Sequence, residues 1–319
     1  ARAVPNRPET KPETKPETKV EVKLDPKFIP EWESIKCPSY CSIAITPDGR
    51  RAVTAGPGVD VWDLTTGTHL KKLLEPGTKF MGSVALSPNG SQALAVAGDY
   101  KVYLFDLAAG DTLRTYEYRD TRPTSVAWSP NGRHLAVGGQ NLDIFDPDTL
   151  ALKHVVLSGN YGLVRAVAFA RDNFLVYGHE SGAVRTIPIT GGAPANLYTH
   201  APGSTVHRIV TNGTLLLSGG EDKTFYVWET TRPKGDRLDP RSVVRGIATS
   251  PKGNFAITGG DDKKIRFWNV KTGKVVHVYP AMEGVVRGLA YSPNGQFFLS
   301  TSDDGTLRAW RLPKEIGGK

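Results

Sequence analysis

The feature that most limits what this chain can fold into is a unit of about forty residues that keeps returning. Arg245 to Val270 reads RGIATSPKGNFAITGGDDKKIRFWNV, and nearly the same text comes back from Arg287 as RGLAYSPNGQFFLSTSDDGTLRAWRL. Each copy holds a short alternating strand, a Pro-x-Gly turn, an apolar strand, an acidic turn and a third strand ending in an aromatic residue. A unit of this size cannot bury both of its own faces, so it must stack against further copies of itself.

Two markers count the copies. The end of each third strand falls at Trp62, Phe105, Phe145, Ile187, Trp228, Trp268 and Trp310, with gaps of 43, 40, 42, 41, 40 and 42 residues. The turn between first and second strands keeps step, as TPDG at 46–49, SPNG at 87–90, SPNG at 129–132, SPKG at 250–253 and SPNG at 292–295. Proline fixes one φ and the glycine supplies the positive φ of a tight reversal. The fourth and fifth copies carry the weaker turns ARDN and TNG but hold the period.

All 319 residues can therefore belong largely to one repetitive body, and 34 glycines with 23 prolines fit many short strands joined by turns. No long stretch has a helical period. Radial stacking buries both sheet faces, which accounts for continuous apolar strands such as FAITGG and FFLSTS. The last copy ends without a fourth strand. Residues 31–36, EWESIK, stand where later copies have an outer strand, so Glu31–Lys36 is expected to pair with the last copy and close the ring.

These turns, together with the endings VWDL (61–64), VWET (227–230) and FWNV (267–270), resemble the WD40 repeat family, and the resemblance covers about Glu31 to Leu312. Literal Trp-Asp occurs only at Trp62–Asp63, and the Gly-His opening of many family repeats is absent. The resemblance implies an all-β, seven-bladed β-propeller of four-stranded antiparallel blades, occupying residues 29–319. It also implies a non-catalytic platform that holds peptides or proteins on the face where the inner strands surround a central channel.

Residues 1–28 repeat Pro-Glu-Thr-Lys three times from Pro8 to Lys19 and read as a disordered tether to something upstream. The chain begins with Ala and lacks a signal-peptide pattern, so it is expected to be a piece of a longer protein. The net charge of +8 favours anionic partners weakly. No apolar run reaches membrane-spanning length, no basic run is interleaved with aromatics as nucleic-acid binding would favour, and neither compartment is preferred. The two cysteines, Cys37 and Cys41, are either free thiols or a small-loop disulfide. The seven histidines show no metal-ligand spacing, and no metal or cofactor is expected.

Six residues before the end-of-strand marker stands Asp99, Asp222, Asp262 or Asp304 in four copies. The resemblance places these in the turn joining second and third strands. Only the fifth copy can supply a complete structural network, as His200, Ser218, Asp222 and Trp228. A catalytic Ser-His-Asp reading lacks a nucleophile elbow.

A column less ordinary than these lies just before each first strand: Cys41, Gly82, Thr124, Arg165, His207, Arg245 and Arg287. The resemblance puts Arg165, His207, Arg245 and Arg287 on one face, as an arc over four successive blades. Arginine forks suit carboxylate and phosphate, so an acidic protein or peptide is the expected partner of a monomeric domain. Beside them the acids Glu180, Glu221, Asp261 and Asp303 either set specificity or neutralise the arc. Two other functions compete: a propeller enzyme with a metal or cofactor in its channel, and non-specific nucleic-acid binding through net charge.

Overall fold

In the computed structural model, which describes residues 29–38, 42–75, 82–96, 98–157, 162–229 and 235–312, the turns that set the period are hydrogen-bonded reversals. Gly90 sits at φ 70° and donates its N–H to the Ser87 carbonyl at 2.8 Å, while the Ser87 hydroxyl donates to Asn89 Oδ1 at 2.7 Å. Thr46–Asp48 and Ser129–Asn131 repeat that device. A side chain with Cβ resists this left-handed backbone, which explains the glycine in the pattern.

Seven four-stranded antiparallel sheets follow, one for each counted repeat. The structure is a seven-bladed β-propeller. Six sheets take their strands in sequence. In the seventh the order is Ser34–Lys36, Thr306–Arg311, Phe297–Ser302 and Val286–Tyr291. The early strand thus fastens the final blade, pairing Ser34 with Arg308, Ile35 with Leu307 and Lys36 with Thr306. It is shorter than the expected Glu31–Lys36. Trp32 turns away from the strand, donating its indole N–H to the Leu64 carbonyl of blade 1 at 2.9 Å and covering Gly67. The closing segment therefore stitches the last blade to the first. Replacing the half-buried Trp32 by Ala should cost about 2 kcal/mol, less than for a fully buried aromatic. A denaturant midpoint unchanged in Trp32→Ala would refute that role.

The core lies between blades. One cluster joins Val53, Val59 and Val61 of blade 1 to Ala93, Ala95 and Phe105 of blade 2, and similar clusters recur around the ring. Second strands such as Leu215–Gly220 and Phe297–Ser302 are buried throughout, whereas outer strands such as Lys274–Tyr279 are mostly exposed. Blades are joined in two ways. In blades 1 to 3, Ser42, Ser83 and Ser125 accept the N–H of Val84, Val126 and Val167 on the next blade at 3.1–3.3 Å. In blades 3 to 6 a glycine on the second strand receives a valine of the next blade. A Cβ on Gly178, Gly219 or Gly259 would lie 2.4–2.5 Å from Cγ1 of Val206, Val244 or Val286.

No helix among the described residues is long and apolar enough to cross a membrane. The tether reading of residues 1–28, the tail beyond Leu312 and the pairing of Cys41 fall outside the described residues. Cys37 is a free, half-buried thiol whose pKa burial pushes up to about 12.

Candidate functional site

The arc arises from a backbone irregularity. In blades 4 to 7 the inner strands Val164–Arg171, Val206–Thr211, Val244–Thr249 and Val286–Tyr291 each break register one residue after their first valine. Val164 faces His179 but Ala166 faces Gly178. The same step separates Val206 from Arg208, Val244 from Gly246, and Val286 from Gly288. The residues left over are Arg165, His207, Arg245 and Arg287. A bulge re-aims its extra side chain. Blades 1 to 3 have no such step, since their inner strands begin at Ser42, Ser83 and Ser125.

Three of the four acids lie against this arc. Arg245 grips Asp261 with two bonds, Nε to Oδ1 at 2.8 Å and Nη2 to Oδ2 at 3.1 Å. Arg287 does the same to Asp303, with Nη2 to Oδ2 at 2.7 Å. These forks hold Asp261 below the usual carboxylate range, Arg245 being the main cause. Glu221 stands 3.5 Å from His207. Burial, and then the charge of Arg245, pull His207 down to about 4, so it is neutral near pH 7. Its Nε2 accepts an N–H from Arg245 Nη1 at 2.8 Å, which puts the ring proton on Nδ1. His207 is therefore a neutral strut for Arg245 rather than a fourth cation.

The fourth pair is not formed. Glu180 Oε1 accepts the Leu163 N–H at 3.1 Å, and exposed Arg165 has no ion-pair partner among the described residues. The arc is thus neutralised over blades 6 and 7 and open at blade 4. Arg165, His207, Arg245 and Arg287 line one depression of about 260 Å³ at the mouth of the channel, with Arg122, Arg208 and Glu221. Arg122 and Arg208 were not marked by the sequence column. Arg208 follows His207 directly, at the position where blades 1 to 3 have the inter-blade serine. A larger depression of about 410 Å³ is lined by the closing segment and the third strand of blade 7, including Trp32 and Trp310.

The remaining marked residues lie in the turns and blade interiors. Asp99 accepts from the Tyr103 hydroxyl, Asp262 pairs with Arg266 at 2.6 Å, and Asp304 takes the Thr306 hydroxyl at 2.5 Å and the Glu283 N–H at 3.1 Å. In blade 5, His200 Nδ1 lies 2.9 Å from Asp222 Oδ1 and its Nε2 lies 2.8 Å from Ser218 Oγ. Tyr198, not Trp228, completes this chain, donating its hydroxyl to Ser218 at 2.8 Å. Trp228 stacks on Tyr198 with ring centroids 5.6 Å apart. The tryptophan-to-hydroxyl bond occurs instead in blades 1, 6 and 7, as Trp62–Thr54, Trp268–Thr258 and Trp310–Ser300. Among the described residues, no group of three or more His, Cys, Asp or Glu side chains is placed to hold a metal ion.

Comparison with known proteins agrees with this architecture. The family model described as WD domain, G-beta repeat matches residues 110–144, 195–229, 238–269 and 273–311. The APC/C activator protein CDC20 of Saccharomyces cerevisiae is 27% identical over 197 residues, which are 59% of this chain and 32% of that protein. Cell division cycle 20.1, cofactor of APC complex, from Arabidopsis thaliana is 28% identical over 57% of this chain and 44% of its own length. The WD repeat-containing protein slp1 of Schizosaccharomyces pombe is 29% identical over 59% of this chain and 40% of its own. The matches thus span less than half the length of each of these relatives. A chain in a crystal structure of a mitotic checkpoint complex superposes with a TM-score of 0.77 over 98% of this chain and 99% of that one. At 20% identity that likeness is one of fold.

Proposed function

The chain is built of WD40 repeats, and from that premise we propose that it is a non-catalytic protein-binding scaffold that docks a partner segment across the channel mouth. One observation carries the reading: four consecutive bulges aim Arg165, His207, Arg245 and Arg287 at a single face. Such a face is pre-organised, because the strands place all four residues and ion pairs hold Arg245 and Arg287 before a partner arrives. Relatives named as an APC/C activator and as a cofactor of the APC complex support a protein partner over a small-molecule substrate. No chemistry is assigned to the Ser218–His200–Asp222 chain, whose side chains are buried and occupied with one another.

The arrangement of charge suggests how a partner would lie. Its acidic group belongs at Arg165, on the open end of the arc. Over Arg245–Asp261 and Arg287–Asp303 it meets paired charges, which favour polar or mixed contacts. The probe is a fluorescent decaglutamate peptide, followed by anisotropy at two salt concentrations. Arg165→Ala, Arg245→Ala and Arg287→Ala are each expected to weaken binding about tenfold, the range of one charged hydrogen bond. Equal affinity in all three variants would remove this surface. Affinity that ignores them but falls steeply with salt would favour diffuse charge, as for nucleic acid.

A further inference from the structure

Blade 6 differs from the other blades at its outer edge. A sheet edge offers unpaired N–H and C=O groups, and folded proteins shorten, charge or cover it. Blades 5 and 7 end in strands of three residues, Asp236–Leu238 and Ser34–Lys36. Lys71 of blade 1 donates to the Ala108 and Ala109 carbonyls of blade 2 at 2.5 and 2.6 Å, and His154 of blade 3 bonds the Ile189 carbonyl of blade 4. Tyr116 of blade 2 and Tyr198 of blade 4 reach Phe145 and Ser218 of the blades that follow. The outer strand of blade 6, Lys274–Tyr279, is tied to blade 7 at its last residue, where the Tyr279 hydroxyl donates to the Arg311 carbonyl at 3.0 Å. The five residues before Tyr279 are all exposed, and Val275, Val276 and Val278 are 39–47% exposed. Among the described residues, the backbone of Val275 to Val278 bonds only within its ladder to Ile265–Asn269. The charges flanking this edge have one sign. Lys263 and Lys264 stand in the turn before Ile265, which pairs with Tyr279, and Lys271 stands in the turn at the other end. All three are exposed and have no ion-pair partner among the described residues. The two acids of the first turn are engaged, Asp261 by Arg245 and Asp262 by Arg266. Glu283 follows on toward blade 7, where its N–H bonds Asp304 at 3.1 Å.

We infer that this edge takes up an extended acidic segment of a partner protein as a fifth strand, its main chain paired along Val275–Val278 and its acids placed at Lys263, Lys264 and Lys271. Strand addition draws affinity from main-chain bonds and specificity from flanking side chains. The exposed valines favour β-branched residues at the centre of the incoming strand. A six-residue strand spans about 20 Å, so acids roughly six residues apart meet the lysines at both ends. A second copy of this chain fits poorly. Pairing two such edges antiparallel would set Lys271 of each copy beside Lys263 and Lys264 of the other, and like charges there repel. None of these residues lines the channel mouth, so this is a second surface, independent of the first.

Fluorescence anisotropy with the labelled peptide DDVTVTVEE tests the edge. The controls are KKVTVTVKK, and DDVTVTVEE with every central amide N-methylated, which keeps the charges and removes the donors of the strand. The acidic peptide is expected to bind about tenfold more tightly than either control, and Lys264→Glu combined with Lys271→Glu should cost it about tenfold. Unlabelled decaglutamate has no β-branched centre and should displace it about tenfold less well than unlabelled DDVTVTVEE. Equal binding of the acidic and basic peptides would overturn the charge match, and equal binding of the N-methylated peptide would overturn strand addition. Either result leaves the channel mouth untouched. Displacement by decaglutamate as effective as by the peptide itself would put the binding at the channel mouth and remove the edge site. Dimerisation in sedimentation velocity that Val276→Glu abolishes would give the edge to a second copy, and so also overturn the acidic partner.

Discussion

Alanine at Gly219 destabilises the propeller in the native background and does so less once Val244 is shortened. The expectation comes from the packing between blades 5 and 6. A Cβ on Gly219 would lie 2.4 Å from Val244 Cγ1 and 2.7 Å from its Cβ, and valine has little rotameric freedom to yield. Overpacking of this kind costs about 1–3 kcal/mol. Val244→Ala removes the nearest contact, Cγ1, but keeps the Cβ at 2.7 Å, so it relieves the clash only in part. Val244→Ala alone should lose about 1–3 kcal/mol from cavity formation. Adding Gly219→Ala should then cost less in the Val244→Ala background than in the native one, giving a coupling of about 1 kcal/mol. Gly259 and Val286 repeat the geometry one blade on, with 2.5 Å to Cγ1. Urea unfolding of both cycles checks the result. Additive effects at either site would mean that the glycines are not there for the neighbouring valines.

That interlock was present in the sequence as a column but not as a contact. The period, the seven end-of-strand residues and the Pro-x-Gly turns could be read directly, because local turn chemistry and strand alternation decide them. Closure by an early strand could also be read, since an unfinished last blade needs a partner. Its length could not, because Trp32 leaves the strand to bond the Leu64 carbonyl, a contact 32 residues away. The arc residues could be aligned, yet their bulges are a matter of register. The signal was there in retrospect: Val164, Val206, Val244 and Val286 precede the arc, whereas blade 3 has Pro123, which cannot donate to a ladder. Arg208 was hidden because its column otherwise holds serine, alanine or glycine. Tyr198 was missed because its outer strand, Ala195–Thr199, is weakly patterned, although two-residue spacing puts it on the same side as His200.

The same blade supplies the prediction with the largest effect. Tyr198, Ser218, His200 and Asp222 form a directed chain in which each hydroxyl or ring N–H donates to the next group and the carboxylate accepts at the end. Burial alone would raise the pKa of Asp222. The bonds from His200 and Thr224, with the Ala201 N–H at 2.9 Å, overcome that and hold it far below the ordinary aspartate range. A carboxylate whose pKa is lowered by folding contributes stability that is complete above the unfolded value near 3.9 and fades as pH drops toward the folded one. Asp222→Asn removes the charge, leaves His200 facing an amide, and should cost about 3–5 kcal/mol at pH 7, as for one partner lost from a buried pair. It should also flatten the acid limb, because one fewer proton is taken up on unfolding below about pH 4. Thermal melts of wild type and Asp222→Asn between neutral and acid pH therefore converge as pH falls. Parallel curves would show that Asp222 does not titrate with folding. Glu221 shares this turn and borders the channel mouth, so Asp222→Asn should also weaken anion binding, whereas Lys274→Gln, on an exposed outer strand, should leave it near wild type.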